Sequence, residues 1–499
     1  MVFAFGCQND IQDENPQENV DAATDSDLDD QNPSDPEDTA VGDRDTSVPL
    51  DSDTGELDTS DRSDLDSDVT PRDTDTDTST ISSTDSEEPE VDTGRDGGNP
   101  EPSEGDPSMV IDATLETEFI PIKADQPVFI NALAVDAAGE IVVGGNTWGD
   151  LYSKNNFYGT NDGVWARFDA KGTFLGGMQF GTRAMDIVNG VLSDNAGNTY
   201  LTGRTAGEMQ THFGMEDFFV TKVDSNDLRQ WTGQFGITDP GSDFSIYEDI
   251  AYASAINTKG SIYMAGTTDS LGSADGLVVK FNGRGRLVWD KIADTEALSM
   301  DIWAITVTPR EQIFITGMVG YSGSSGLDFD LFVAGIDGAS KKQFFYREWG
   351  VEDASDYGKA IVTDAKGNIY VVGQSEGELV LIVLDANQNQ KTFKRYSLGS
   401  SWIEPRALAL DDSENILVAG TMAENESNQG MTDLFVMKIE NDRAFKVEWQ
   451  LSGGTELDDM VNDIAIDKNG TVYAAGSYNW DLFDPRKLSS NGFLLLIKQ

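Results

Sequence analysis

One cysteine and one histidine stand among 499 residues. A lone thiol forms no intrachain disulfide, and no zinc site of the usual Cys/His kind can be assembled. The same shortage disfavours Ser-His-Asp and Cys-His chemistry, which needs a base beside its nucleophile. The single candidate base, His212, lies in Gln210-Thr-His-Phe-Gly214 and reads as a surface loop residue. Lysine is missing from the first 108 residues, and no aromatic residue occurs between Cys7 and Phe119. No apolar run approaches 18 residues, which removes a transmembrane helix from the expectations. Basic residues are few throughout, 34 against 89 acidic ones, for a net charge of −55. That balance argues against holding nucleic acid or an anionic membrane by bulk charge.

The charge is uneven. Residues 1–108 carry 34 Asp+Glu against 4 Arg, a net −30, and the remaining 391 residues carry −25. The early stretch is built of Asp, Ser, Thr, Pro and Glu, as in Asp73-Thr-Asp-Thr-Asp-Thr-Ser79. It lacks the apolar surface needed to offset the entropy of ordering, so residues 8–108 are expected to be a disordered acidic linker. Calcium is the one cofactor its spaced aspartates bring to mind, but the turn glycine and terminal glutamate of an EF-hand loop are absent. Residues 1–7, Met-Val-Phe-Ala-Phe-Gly-Cys, are apolar and end in the lone thiol. Gly6-Cys7 before a polar tether resembles the cleavage site of bacterial lipoproteins, with Cys7 as the lipidation site. The basic start, most of the apolar stretch and a Leu three residues before Cys7 are missing. The expectation is a truncated signal remnant and a lipid anchor as the sole membrane attachment. A free thiol is the other reading.

Residues 109–499 repeat. Seven copies of a strand, a short turn, a strand and a glycine end at Gly145, Gly203, Gly266, Gly317, Gly373, Gly420 and Gly476. Asp364-Ala-Lys-Gly-Asn-Ile-Tyr-Val-Val-Gly373 is representative. The Asp caps the turn and the turn Gly supplies a positive φ that L-residues resist. The flanking Val, Ile and Tyr suit a pleated, buried surface. Each copy continues into a third strand, usually opened by an acid as in Asp433-Leu-Phe-Val-Met-Lys-Ile-Glu440, and a further strand follows, often aromatic and ending near Gly. Four antiparallel strands repeated seven times predict an all-β, seven-bladed propeller. The sequence ends on a third strand, Asn491–Gln499, while Thr114–Ile122 precedes the first repeat unpaired. That early segment is expected to close the last blade.

These units resemble the seven-bladed β-propeller (SBBP) repeat family of bacterial proteins, best over Gly350-Val-Glu-Asp-Ala-Ser-Asp-Tyr-Gly-Lys-Ala through Ser375. The resemblance spans about residues 110–499. It departs in the fourth and sixth copies, where Glu311 and Glu414 replace the turn glycine. It implies a secreted or cell-surface location in a bacterial envelope, outer membrane included, and supplies no catalytic residues.

Function on a rigid scaffold usually resides in its variable loops. Here these are 146–161, 204–216, 318–329, 421–432 and 477–490, on the side where each first strand begins. Counting back seven or eight residues from each turn gives Asp186, Asp249, Asp301, Asp356, Glu404 and Asp459. A carboxylate ring there could hold a cation or cationic ligand. Alternatively, each acid accepts backbone hydrogen bonds that fix the connection between blades. Trp148, Tyr152, Phe157, Tyr158 and Trp480 fall in loops of the first and last blades, as ring-stacking candidates or as covers for the closing blade. The Ser-x-Asp-x-Gly-x-Thr-Trp box of sialidase-type propellers is absent. These features favour a non-enzymatic, monomeric platform that binds a protein or glycan. A carboxylate-dependent polysaccharide hydrolase or lyase and a structural envelope spacer stay as alternatives.

Overall fold

Every repeat is pinned by the same turn. In the first, the Asp136 side chain accepts from the Ala138 and Glu140 amides, and Gly139 takes φ +86°. Glu311 and Glu414 adopt the same left-handed conformation, φ 62° and 65°, despite their side chains. Such a residue costs about 1–2 kcal/mol. Each reaches back to the preceding blade's turn lysine: Glu311 to Lys259 at 2.7 Å and Glu414 to Lys366 at 2.6 Å.

The computed structural model describes residues 108–110, 115–124, 126–151, 161–238, 247–269, 274–293, 295, 297–323, 327–352, 354–423, 432–480 and 490–499. The acidic linker and the proposed lipidation site Cys7 lie outside them. Seven antiparallel sheets follow in chain order. Blades 1 to 7 span 128–180, 186–235, 249–292, 299–349, 356–396, 403–454 and 458–498. Blade 7 draws its outermost strand from Glu116–Ile122, which pairs antiparallel with Asn491–Lys498. Phe119 there stacks on Phe493 at 5.1 Å, so the expected closure forms. Blade 6 carries a fifth strand, Ser108–Val110, on its outer edge. The sequence places 318–329 in an irregular loop. Instead Gln312–Ser322 and Leu327–Asp337 form one long hairpin, because Val319, Tyr321 and Phe329 extend the ladder.

The core lies between blades. Seven apolar clusters each join two neighbouring sheets, and the closing one sets Val128, Ile130 and Leu133 against Tyr473 and Leu494. The first strand of each blade touches the first strands of both neighbours, so these seven strands surround the axis. Each contains a bulge at the same level, which kinks the strand and re-aims one side chain. Among the described residues no helix is long and apolar enough to cross a membrane.

Candidate functional site

The first strands carry four informative positions, counted back from the residue that opens each turn. Eight back stand Val128, Asp186, Asp249, Met300, Asp356, Ile403 and Asp459. Seven back stand Phe129, Ile187, Ile250, Asp301, Tyr357, Glu404 and Met460. Strand side chains alternate between faces, so one step separates two environments. The six acids picked from the sequence therefore divide. Asp186, Asp249, Asp356 and Asp459 are buried between blades, whereas Asp301 and Glu404 are partly exposed on the opposite face.

The four buried acids fix the connections into their blades. Asp186 accepts from the Thr182 amide at 2.5 Å and the Thr205 hydroxyl at 2.5 Å. Asp249 accepts from the Ile237 amide at 2.6 Å, Asp356 from Val351 at 2.8 Å and Asp459 from Thr455 at 2.5 Å. Each faces an acid from the third strand of the previous blade: Asp162, Asp217, Asp330 and Asp433. A glycine ends the strand between them because nothing larger fits. A Cβ at Gly181 would lie 2.5 Å from Asp186 Oδ2, and one at Gly454 would lie 2.2 Å from Asp433 Oδ1 and 2.5 Å from Asp459 Oδ2. Burial pushes Asp186 and Asp217 above their ordinary range, and Asp249 and Asp330 up to about 6, with the facing acids adding to the last two. Among the described residues no group of three or more His, Cys, Asp or Glu is placed to hold a metal ion.

Five back from the turn, at the bulges, stand Asn131, Asn189, Tyr252, Trp303, Lys359, Arg406 and Asn462. Sequence reasoning passed over this ring, although its constant offset from the turn was there to be read. Three asparagines stitch one side: Asn462 donates to Ile130 O at 2.8 Å, Asn131 to Val188 O at 3.0 Å and Asn189 to Ala251 O at 2.7 Å. The other side, on blades 3 to 6, is aromatic and charged. Lys359 Nζ sits 3.8 Å from the Trp303 ring centroid, and Trp303 lies 5.4 Å from Tyr357. Lys359 pairs with Glu404 at 3.0 Å, and Arg406 pairs with the same carboxylate at 3.1 Å. Burial would raise the Glu404 carboxyl, but Arg406 and Lys359 hold it below its ordinary value. Burial lowers Lys359, opposed by Glu404. Thr267 donates to Asp301 at 2.5 Å, and Tyr252 is 37% exposed. Rings, one exposed phenol and a closed ion-pair network thus share one side of the axis.

Four back from the turn, six blades carry Ala or Gly and blade 7 carries Asp463. Its carboxylate accepts from the Leu133 amide of blade 1 at 2.8 Å and from its neighbour Ile464 at 2.8 Å. Burial nevertheless pushes it up to about 7. Trp148 is 46% exposed, and its amide donates to Pro127 O at 3.2 Å. Trp480 ends the second strand of blade 7, opposite Asp458. Its side chain, like Tyr152, Phe157 and Tyr158, lies outside the described residues.

Residues 347–379 match the SBBP family model, a β-propeller repeat. A solved protein from Lactobacillus plantarum is 13% identical, covers 66% of this chain and 86% of its own length, and gives a TM-score of 0.41. Sqt1 from Chaetomium thermophilum is 12% identical, with 72% and 83% covered and a TM-score of 0.42. The β-propeller domain of the trilobed protease from Pyrococcus furiosus, described as having an open velcro topology, is 8% identical, with 70% and 92% covered and a TM-score of 0.39. No curated protein matches.

Proposed function

We propose that this seven-bladed propeller, which carries the SBBP β-propeller repeat, is a non-enzymatic bacterial surface or secreted protein that binds its ligand at the axis. The observation that carries the reading is the patch of Tyr252, Trp303, Tyr357, Lys359 and Glu404 beside the bulges. Aromatic faces next to fixed charges suit a sugar ring or the tip of a protein loop, which stack and hydrogen-bond together.

Two observations support binding over carboxylate catalysis. The carboxyls raised to about 6, Asp249 and Asp330, sit between blades, with Asp249 fully buried, and Asp463, raised to about 7 beside the axis, has its two oxygens taken by the Leu133 and Ile464 amides. Glu404, beside the axis, is held ionised by two cations and is a poor proton donor. A glycan array and an envelope-fraction pull-down with the full chain test the proposal. Saturable binding lost in Tyr252→Ala and Trp303→Ala is expected. Turnover of a polysaccharide panel would overturn it.

A further inference from the structure

On the face opposite the variable loops, thirteen short turns join strands among the described residues: seven follow first strands and six follow third strands. Ten of them open with Asp or Glu, and the aspartates cap their turns, as Asp136 and Asp385 do. The three exceptions, Asn257, Asn282 and Thr308, all belong to blades 3 and 4. Each caps its turn without a charge. Asn257 Oδ1 accepts from the Lys259 and Ser261 amides at 3.0 and 2.9 Å, and Asn282 Oδ1 from Arg284 and Arg286 at 2.9 and 3.2 Å. Thr308 Oγ1 accepts from the Gln312 amide at 3.1 Å. The fold does not call for these exchanges, because Asp serves the same geometry in the other blades.

Charge of the opposite sign gathers at the same place. The turns 257–261, 282–286, 308–312 and 337–342 carry Lys259, Arg284, Arg286, Arg310, Lys341 and Lys342, all exposed, against Glu311 and Asp337 alone. Both acids are occupied. Glu311 pairs with Lys259 at 2.7 Å and Lys280 at 3.5 Å, and Asp337 accepts from the Ala339 and Ser340 amides of its own turn. Among the described residues the other five exposed cations have no carboxylate partner. The four turns adjoin one another. A Cβ on Gly283 would lie 3.2 Å from Gly260 O, the Gly338 amide donates to Glu311 O at 2.8 Å, and Trp289 Nε1 donates to Gly338 O at 3.2 Å. A continuous positive surface thus stands within residues 109–499, whose net charge is −25.

We propose that this face of blades 3 and 4 holds an anionic polysaccharide, whose carboxylate or sulfate groups pair with the arginines and lysines of successive turns. Cations spread over four turns suit charge repeated along a chain, and the planar arginine fork adds bidentate contacts. The four turns contain no aromatic, Leu, Ile, Val or Met residue, so they offer neither rings for base stacking nor an apolar wedge for acyl chains. Leu287 and Val288 are exposed on the adjoining strand, so vesicles are tested beside the glycans. The surface uses no residue of the axial patch.

The probes are a labelled oligogalacturonate and a labelled heparin oligosaccharide, titrated by anisotropy into the full chain at low ionic strength. Saturable binding of at least one is expected, with affinity falling steeply as salt rises. Asn257→Asp, Asn282→Asp and Thr308→Asp combined restore the acid that the other turns carry and keep each cap; they should weaken binding about tenfold or more. Arg286→Gln, a surface change, should weaken it as well, so the result does not rest on the triple variant. Lys468→Glu, in the corresponding turn of blade 7, should leave binding nearly unchanged. No binding of either glycan, binding unaffected by the exchanges in blades 3 and 4, or equal loss in Lys468→Glu would overturn the proposal. Tighter binding of phosphatidylglycerol vesicles or duplex DNA than of either glycan would also overturn it, assigning the surface to a lipid face or a nucleic acid.

Discussion

Asp463→Ala isolates the one acid set among small residues around the axis. Its carboxyl moves from an ordinary 3.8 to about 7 because burial outweighs two amide donors. Three pH units correspond to about 4 kcal/mol of linkage, and the partial exposure of this side chain screens that to about 2 kcal/mol. The folded protein holds the proton more tightly than the unfolded chain. The favourable contribution is therefore complete below about pH 4, declines through about pH 7 and is absent above it. Replacing Asp463 by Ala leaves the Leu133 amide without its acceptor, a loss of about 1 kcal/mol, and removes the titration. Urea unfolding of both proteins across pH 5–8.5 reads the difference, in which every other acid cancels. The variant should be less stable at pH 5, and the gap should shift toward it by at least about 1 kcal/mol by pH 8.5. A gap independent of pH, or one that widens with rising pH, would refute the reasoning.

Three further outcomes follow from the geometry. Glu414→Gly relieves a left-handed φ of 65° and removes an ion pair with Lys366, whose side chain is 67% exposed; a gain of up to about 1 kcal/mol in urea is expected. Gly454→Ala drives a methyl onto two carboxylates and should cost about 1–3 kcal/mol, whereas the same change at Gly283, whose nearest contact is 3.2 Å, should cost less. Asp186→Ala, which strips acceptors from Thr182 and Thr205, should lower stability by about 2–4 kcal/mol and leave ligand capture by the remaining folded protein unchanged.

The architecture was legible because its signals are local. Asp136 and Gly139 announce a turn within four residues, and Phe119 and Ile120 sit in a segment that only the last blade could pair. The site was harder, for a reason of register. Asp186 and Glu404 look equivalent when seven and eight residues are pooled, yet one residue in a strand exchanges a buried seam for the axis. The bulge compounds this. Lys359 and Trp303 come together only after each strand inserts an unpaired residue, and no residue type marks that insertion. Asp463 shows the converse: its singularity is plain only once six Ala or Gly residues are aligned with it.

The measurement closest to the central claim is hydrogen exchange of the full chain with and without its captured ligand. The account predicts protection concentrated in the first strands of blades 3 to 6, Asp249–Ile256, Ser299–Val307, Asp356–Thr363 and Ile403–Leu410, and lost in Trp303→Ala. Protection confined to the segment around Trp148, with those four strands unaffected, would contradict it.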